Sequence, residues 1–135
     1  MVQRPDLFSA VVCQVPLLDM LRFTQIAAGA SWIGEYGDPA DPATPAVRDA
    51  ILKYSPYQNL HADRVYPRIL LRTSTADDRV GPGHARKFAA RMEEFGLPFY
   101  FYEETEGGHS GAANAEMVAR EKALEWTYLY QQLMN

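Results

Sequence analysis

The sequence predicts an α/β protein: about three parallel strands in one sheet, with helices on both faces. Three apolar or aromatic runs, residues 9–16, 66–73 and 97–103, are close to continuous rather than alternating. That is the pattern of strands buried on both sides of a parallel sheet. The segments between and after them carry helical spacing, and parallel neighbours require right-handed crossovers of that kind. With 135 residues the chain is long enough for one domain, 1–135, with its own core.

The first run, Ser9-Ala10-Val11-Val12-Cys13-Gln14-Val15-Pro16, ends at a proline, which gives a ladder no donor. A helix is expected from Asp19, a plausible N-cap, with Met20, Phe23 and Ala27 on one face. Residues 29–37, with Trp32 and Tyr36, read as an aromatic loop or broken helix, and 38–45, with three prolines, as a loop. A short helix over 47–53 follows. The strand over 66–73 leads to a helix from about 83 to 94. In that helix Phe88, Met92 and Phe95 form the buried stripe, Arg86, Arg91 and Glu93 are solvated, and Gly96 is the stop. The third strand is aromatic on both faces. The last helix, from near 113 to 133, is expected to pack Trp126, Tyr130 and Leu133 inward.

Composition removes several function classes. Net charge is −4 without a basic cluster, so nucleic acid is not an expected partner. No apolar run approaches the ~20 residues of a membrane span, and the N-terminus has no signal-peptide core. Reading Met1 as the natural start, the expected location is cytoplasmic. The lone Cys13 has no disulfide partner and reads as a buried, inert thiol. His61, Asp63 and His84 lack metal-ligand spacing, and both histidines are expected to be solvated or capping. Gly81-Pro82-Gly83 lacks the lysine of a phosphate loop. Neither metal nor cofactor is expected.

Asp77 and His109 carry the chemistry. Each follows the C-terminal end of a predicted strand, and consecutive parallel strands deliver such loops to one rim of the sheet. A carboxylate that holds an imidazole at one nitrogen leaves the other free as a general base. In α/β-hydrolases the chain order is nucleophile, acid, histidine, and Asp77 followed by His109 fits the last two places. The plainer alternative is that Asp77-Asp78 caps a turn and His109 is a loop residue.

Several stretches resemble the prolyl oligopeptidase family of serine peptidases, in order and from end to end. They are Gln3-Arg4-Pro5-Asp6-Leu7-Phe8, Gln14-Val15-Pro16-Leu17-Leu18-Asp19-Met20, Trp32 through Tyr36-Gly37, Lys53-Tyr54-Ser55-Pro56, Thr75-Ala76-Asp77-Asp78-Arg79-Val80 and Gly107-Gly108-His109. The resemblance implies the C-terminal portion of the catalytic domain, a partial α/β-hydrolase fold, hydrolysing short proline-containing peptides. It implies Asp77 as triad acid and His109 as base. It also implies Arg79 as the anchor of a substrate carbonyl, and Trp32 as an indole stacked on proline, with Tyr36, Leu17 and Val80 lining the pocket. Read without the resemblance, Arg79 pairs with Asp78 or another surface carboxylate, and Trp32 is core.

The 135 residues contain no G-x-S-x-G nucleophile elbow. Gly108-His109-Ser110-Gly111-Ala112 comes within one residue of it, but no histidine follows Ser110 to complete the chain order. Two expectations follow. The chain is part of a serine peptidase whose serine lies on the missing N-terminal half, and it is inactive alone. Alternatively it is a non-catalytic remnant or binding module that pairs with another chain, or a second copy of itself, through the open apolar edge of its first strand.

Overall fold

The computed structural model describes residues 1–109 and 113–134. Strands β1 (Val11–Gln14), β2 (Ile69–Ser74) and β3 (Phe99–Glu104) form one sheet in that order, all parallel. Val11 is in register with Ile69, and Ile69 with Phe99. The central strand is buried along its full length, as its unbroken apolar start requires. α1 (Ile33–Tyr36) and α2 (Pro45–Leu52) lie in the β1–β2 connection, α3 (Gly83–Glu94) links β2 to β3, and α4 (Ala115–Leu133) closes the chain.

The two faces of the sheet are covered by different chemistry. Ile69 and Leu71 pack with Phe88, Ala89 and Met92 of α3, and Val2, Leu18, Leu60 and Tyr66 complete that core. α3 ends in a Schellman motif: Leu97 N–H reaches the Met92 carbonyl at 2.9 Å and Gly96 N–H the Glu93 carbonyl at 3.0 Å. Gly96 sits at φ 65°, a left-handed position that a β-carbon disfavours.

The opposite face reverses the expected polarity of α4. Trp126, Tyr130 and Leu133 are 69%, 63% and 56% exposed, whereas Glu121, Glu125 and Tyr128 are buried against the sheet. The reason is Arg72, a buried cation at the middle of β2 that takes ion pairs from Glu121 and Glu125. Tyr128 adds a hydroxyl that donates to the Arg68 carbonyl at 2.5 Å and accepts from Val11 N–H at 2.8 Å. A buried guanidinium without carboxylates costs more than an exposed indole, so the polar stripe faces inward.

Four further expectations are corrected. No regular helix starts at Asp19; single 3-10 turns, Phe23–Gln25 and Gly29–Trp32, precede α1. Met20 and Phe23 bury together nonetheless, because a turn closed by Arg22 N–H on the Asp19 carbonyl at 3.2 Å runs directly into the 3-10 turn that begins at Phe23. Asp19 is not a cap but a buried carboxylate, bound by Lys87 and by Gln58 Nε2 at 2.7 Å. His84 is fully buried rather than solvated, its Nδ1 accepting the Asp19 N–H at 3.0 Å. Arg91, also expected in solvent, lies over the rings of Tyr57 and Phe95 at 4.8 and 5.3 Å. Among the described residues no helix is long and apolar enough to cross a membrane.

Candidate active site

Because β2 and β3 run parallel, the loops after Ser74 and Glu104 leave the same rim of the sheet. The loops are tied together there. Thr75 N–H donates to the Glu104 carbonyl at 2.8 Å, Thr75 Oγ1 to Glu103 Oε1 at 2.6 Å, and the Ser74 hydroxyl to the Gly107 carbonyl. Glu104 is held below the ordinary glutamate range by the Glu106 N–H first and the Tyr102 hydroxyl second.

At that rim His109 Nδ1 lies 3.0 Å from Asp77 Oδ1. The Asp77 side chain is wholly buried, and the His109 ring is 28% exposed. The same Oδ1 accepts the Arg79 and Val80 N–H groups at 3.0 and 3.1 Å. The turn-capping and histidine-contacting readings of Asp77 are therefore both realised: the turn fixes the carboxylate's orientation, and the carboxylate meets the ring. Charge-assisted bonds from backbone N–H groups are the strong class of protein hydrogen bond. An imidazole held in this way is chemically able to take a proton at Nε2.

His109 also lines a cavity of about 280 Å³, together with Leu17, Trp32, Glu35, Tyr36, Arg79 and Val80. Six of the seven residues singled out in the sequence thus line one cavity, and the seventh, Asp77, stands behind it in contact with His109, although they derive from four separate stretches. Leu17 arrives just beyond β1, after Val15 turns the chain at φ 39°, a strained angle for a β-branched residue. Ala28 N–H donates to the Arg79 carbonyl at 3.1 Å, joining the turn after β2 to the segment that carries Trp32. Gly29 makes that segment possible, since a β-carbon there would stand 1.7 Å from the Phe23 carbonyl oxygen.

Trp32 packs on the buried cluster of Met20, Phe23 and Ile51 while lining the cavity, so it is part core and part pocket wall. Tyr36 meets the Phe23 ring edge-on, centroids 5.6 Å apart. The Arg79 side chain makes no ion pair among the described residues, with Asp78 or otherwise. Sequence reasoning missed Glu35. The signal was present: Trp32, Glu35 and Tyr36 stand at i, i+3 and i+4, one face of a single turn. A separate polar cavity of about 380 Å³, bordered by Asp19, Arg22, Arg48 and Lys87, touches none of the dyad residues. Ser110, weighed above as a nucleophile, lies outside the described residues.

A three-stranded parallel sheet that presents a carboxylate and a histidine from consecutive strand ends, beside an aromatic cavity, matches the later strands of an α/β-hydrolase. The sequence profile of the prolyl oligopeptidase family matches residues 1–135, and the chain belongs to that family. It is 57% identical over 135 residues to the uncharacterized peptidase y4nA of Sinorhizobium fredii (strain NBRC 101917 / NGR234), covering all of this chain and 18% of that protein. It is 36% identical over 126 residues to a prolyl endopeptidase of Elizabethkingia miricola, covering 91% of this chain and 18% of the relative. The solved structure of a post-proline cleaving enzyme from Rickettsia typhi superposes with a TM-score of 0.94 at 37% identity, over 99% of this chain and 19% of that one. The chain spans less than a fifth of the length of these relatives.

Proposed function

We propose that this chain supplies the acid, the base and the proline pocket of a serine peptidase acting on short proline-containing peptides, and that the nucleophile belongs to a G-x-S-x-G segment outside these 135 residues. Asp77 orients His109, and His109 Nε2 removes the proton from the serine hydroxyl and returns it to the leaving amine. Arg79 holds a substrate main-chain carbonyl. Trp32 stacks on the proline ring, with Tyr36, Leu17 and Val80 enclosing it. The observation that carries this reading is the 3.0 Å contact between Asp77 and His109 at the rim of the cavity that also gathers the pocket residues. The relatives named above include a prolyl endopeptidase and a post-proline cleaving enzyme, which supports the substrate class.

By itself the chain is expected to be inactive, because removing a triad serine eliminates most of the rate. A fluorophosphonate probe should leave the purified chain unlabelled, and labelling at Ser110 would overturn the assignment. Co-expression with a matching N-terminal half should restore proline-directed cleavage. A stable, folded complex that fails to cleave would reject the catalytic reading. It would favour the alternative of a binding module, for which the outer edge of β1, unpaired among the described residues, is the supporting feature.

A further inference from the structure

We propose that Glu35 is a second specificity determinant of the cavity, one that favours peptides carrying a positive charge next to the residue seated against Trp32. The inference rests on the peptide-pocket reading given above and adds a charge preference to it. Glu35 is on a fixed platform. Its turn is anchored on one side by Trp32, packed on Met20, Phe23 and Ile51, and on the other by Tyr36 against Phe23. Gly37 N–H closes the turn on the Ile33 carbonyl at 2.8 Å.

The carboxylate is otherwise unused: among the described residues Glu35 makes no hydrogen bond and no ion pair. The charged or titratable neighbours along the cavity are Arg79, His109 and the phenol of Tyr36, and the rest of the lining is Leu17, Trp32 and Val80. Were Glu35 present to neutralise Arg79, the two would approach within salt-bridge distance, and they do not. The cavity therefore presents two separate charges of opposite sign on an apolar floor. The guanidinium suits a carbonyl oxygen, and the carboxylate suits a cation, either a lysine or arginine side chain or a free α-amino group. A substrate carboxylate at the same place meets like-charge repulsion, so discrimination comes from both attraction and exclusion. Because Glu35 is exposed, the expected preference is modest, about three- to fivefold at low ionic strength and falling toward unity as salt rises.

The test is a titration of the isotope-labelled 135-residue chain, following the Trp32 indole N–H by NMR, with Trp126 as an internal reference outside the cavity. The ligands are acetyl-Ala-Lys-Pro-amide and its Gln and Glu counterparts, and Ala-Pro-amide with and without its acetyl cap. The lysine peptide should bind about three- to fivefold tighter than the glutamine peptide, and the glutamate peptide should be weakest. Glu35→Gln should bring the lysine-to-glutamine ratio to about one, and Glu35→Lys should invert the order. An advantage shown by the uncapped dipeptide instead supports the same charge preference with the α-amino group as its source. Equal affinities for all peptides, or a lysine advantage that survives in Glu35→Gln, overturn the assignment of Glu35 and leave the pocket reading intact. If no peptide moves the Trp32 signal, the pocket reading falls and this inference falls with it.

Discussion

His84 shows what burial does to a single side chain in this protein. Enclosure lowers its pKa from 6.5 to about 4, an effect only partly offset by the nearby Asp19 carboxylate. It is therefore neutral when folded, with Nδ1 as acceptor for the Asp19 N–H. The unfolded chain takes up this proton first as pH falls, so the histidine's neutral-state advantage is complete above about pH 6.5. It declines toward pH 4 by up to about 3 kcal/mol. Denaturation at stepped pH should show stability falling across this window, and His84→Gln should flatten the slope. A wild-type protein equally stable at pH 6.5 and 4.5 would contradict this. Asp19 titrates lower. Burial raises its pKa, but the bonds from Lys87 and Gln58 outweigh that and hold it below 3.8, so the stability it adds is lost only as pH falls through more acidic values. Gly29 is a different kind of constraint, a matter of space. Gly29→Ala drives a β-carbon into the Phe23 carbonyl, and a cost of about 2 kcal/mol or more is expected, read as a lower Tm and a shifted Trp32 signal.

Helix α4 is held by charge where an apolar stripe was expected. Arg72, Glu121 and Glu125 form a buried cluster, with Gln14 adding an acceptor 3.3 Å from Arg72 Nη2. Breaking such a group by removing its cation leaves two buried carboxylates, so Arg72→Met should destabilise by about 3–5 kcal/mol in urea denaturation. The triple replacement Arg72→Met, Glu121→Leu, Glu125→Met should recover most of the loss. If the single variant is as stable as the parent, the cluster does not anchor the helix. α3 shows the opposite design: its 3.6-residue apolar face and Gly96 stop are both realised, and the chain leaves it already directed into β3. The same two elements set the site, since α3 follows the Asp77 turn and β3 leads to His109.

Taken as a whole, the molecule exposes two surfaces that a stable monomer ordinarily covers. The outer edge of β1 has no strand beside it among the described residues. On α4, Val118, Leu124, Trp126, Tyr130 and Leu133 are exposed, and so is Met134 just beyond it. Open strand edges and contiguous apolar surface both favour association. Light scattering coupled to size-exclusion chromatography should show the chain's mass rising with concentration. Val12→Lys, which places a charge on the edge strand, should shift it toward monomer. A monomer at all concentrations, with or without Val12→Lys, would show that the edge is protected.

Much of the site was legible in the sequence because short local stretches carry it. The Asp77-Asp78-Arg79-Val80 turn, the Gly107-Gly108-His109 loop and the strand runs before them needed only parallel topology to converge, and a parallel sheet was implied by the continuous apolar runs. Glu35 was harder to recognise, since its role in the cavity depends on where a four-residue helix points. The burial of His84 and the inward-facing glutamates of α4 were not legible at all. Each depends on a partner far away in sequence, Asp19 for the one and Arg72 for the other. Sequence by itself therefore determined the parallel strands, the crossovers and the Asp77 and His109 loops at one rim, because hydrophobic period and strand ends are local properties; the pocket residues were implied only by resemblance to the family. Tertiary structure decided which charges are buried and which face of α4 meets water, because desolvation is set by whatever packs opposite, and no local pattern records that.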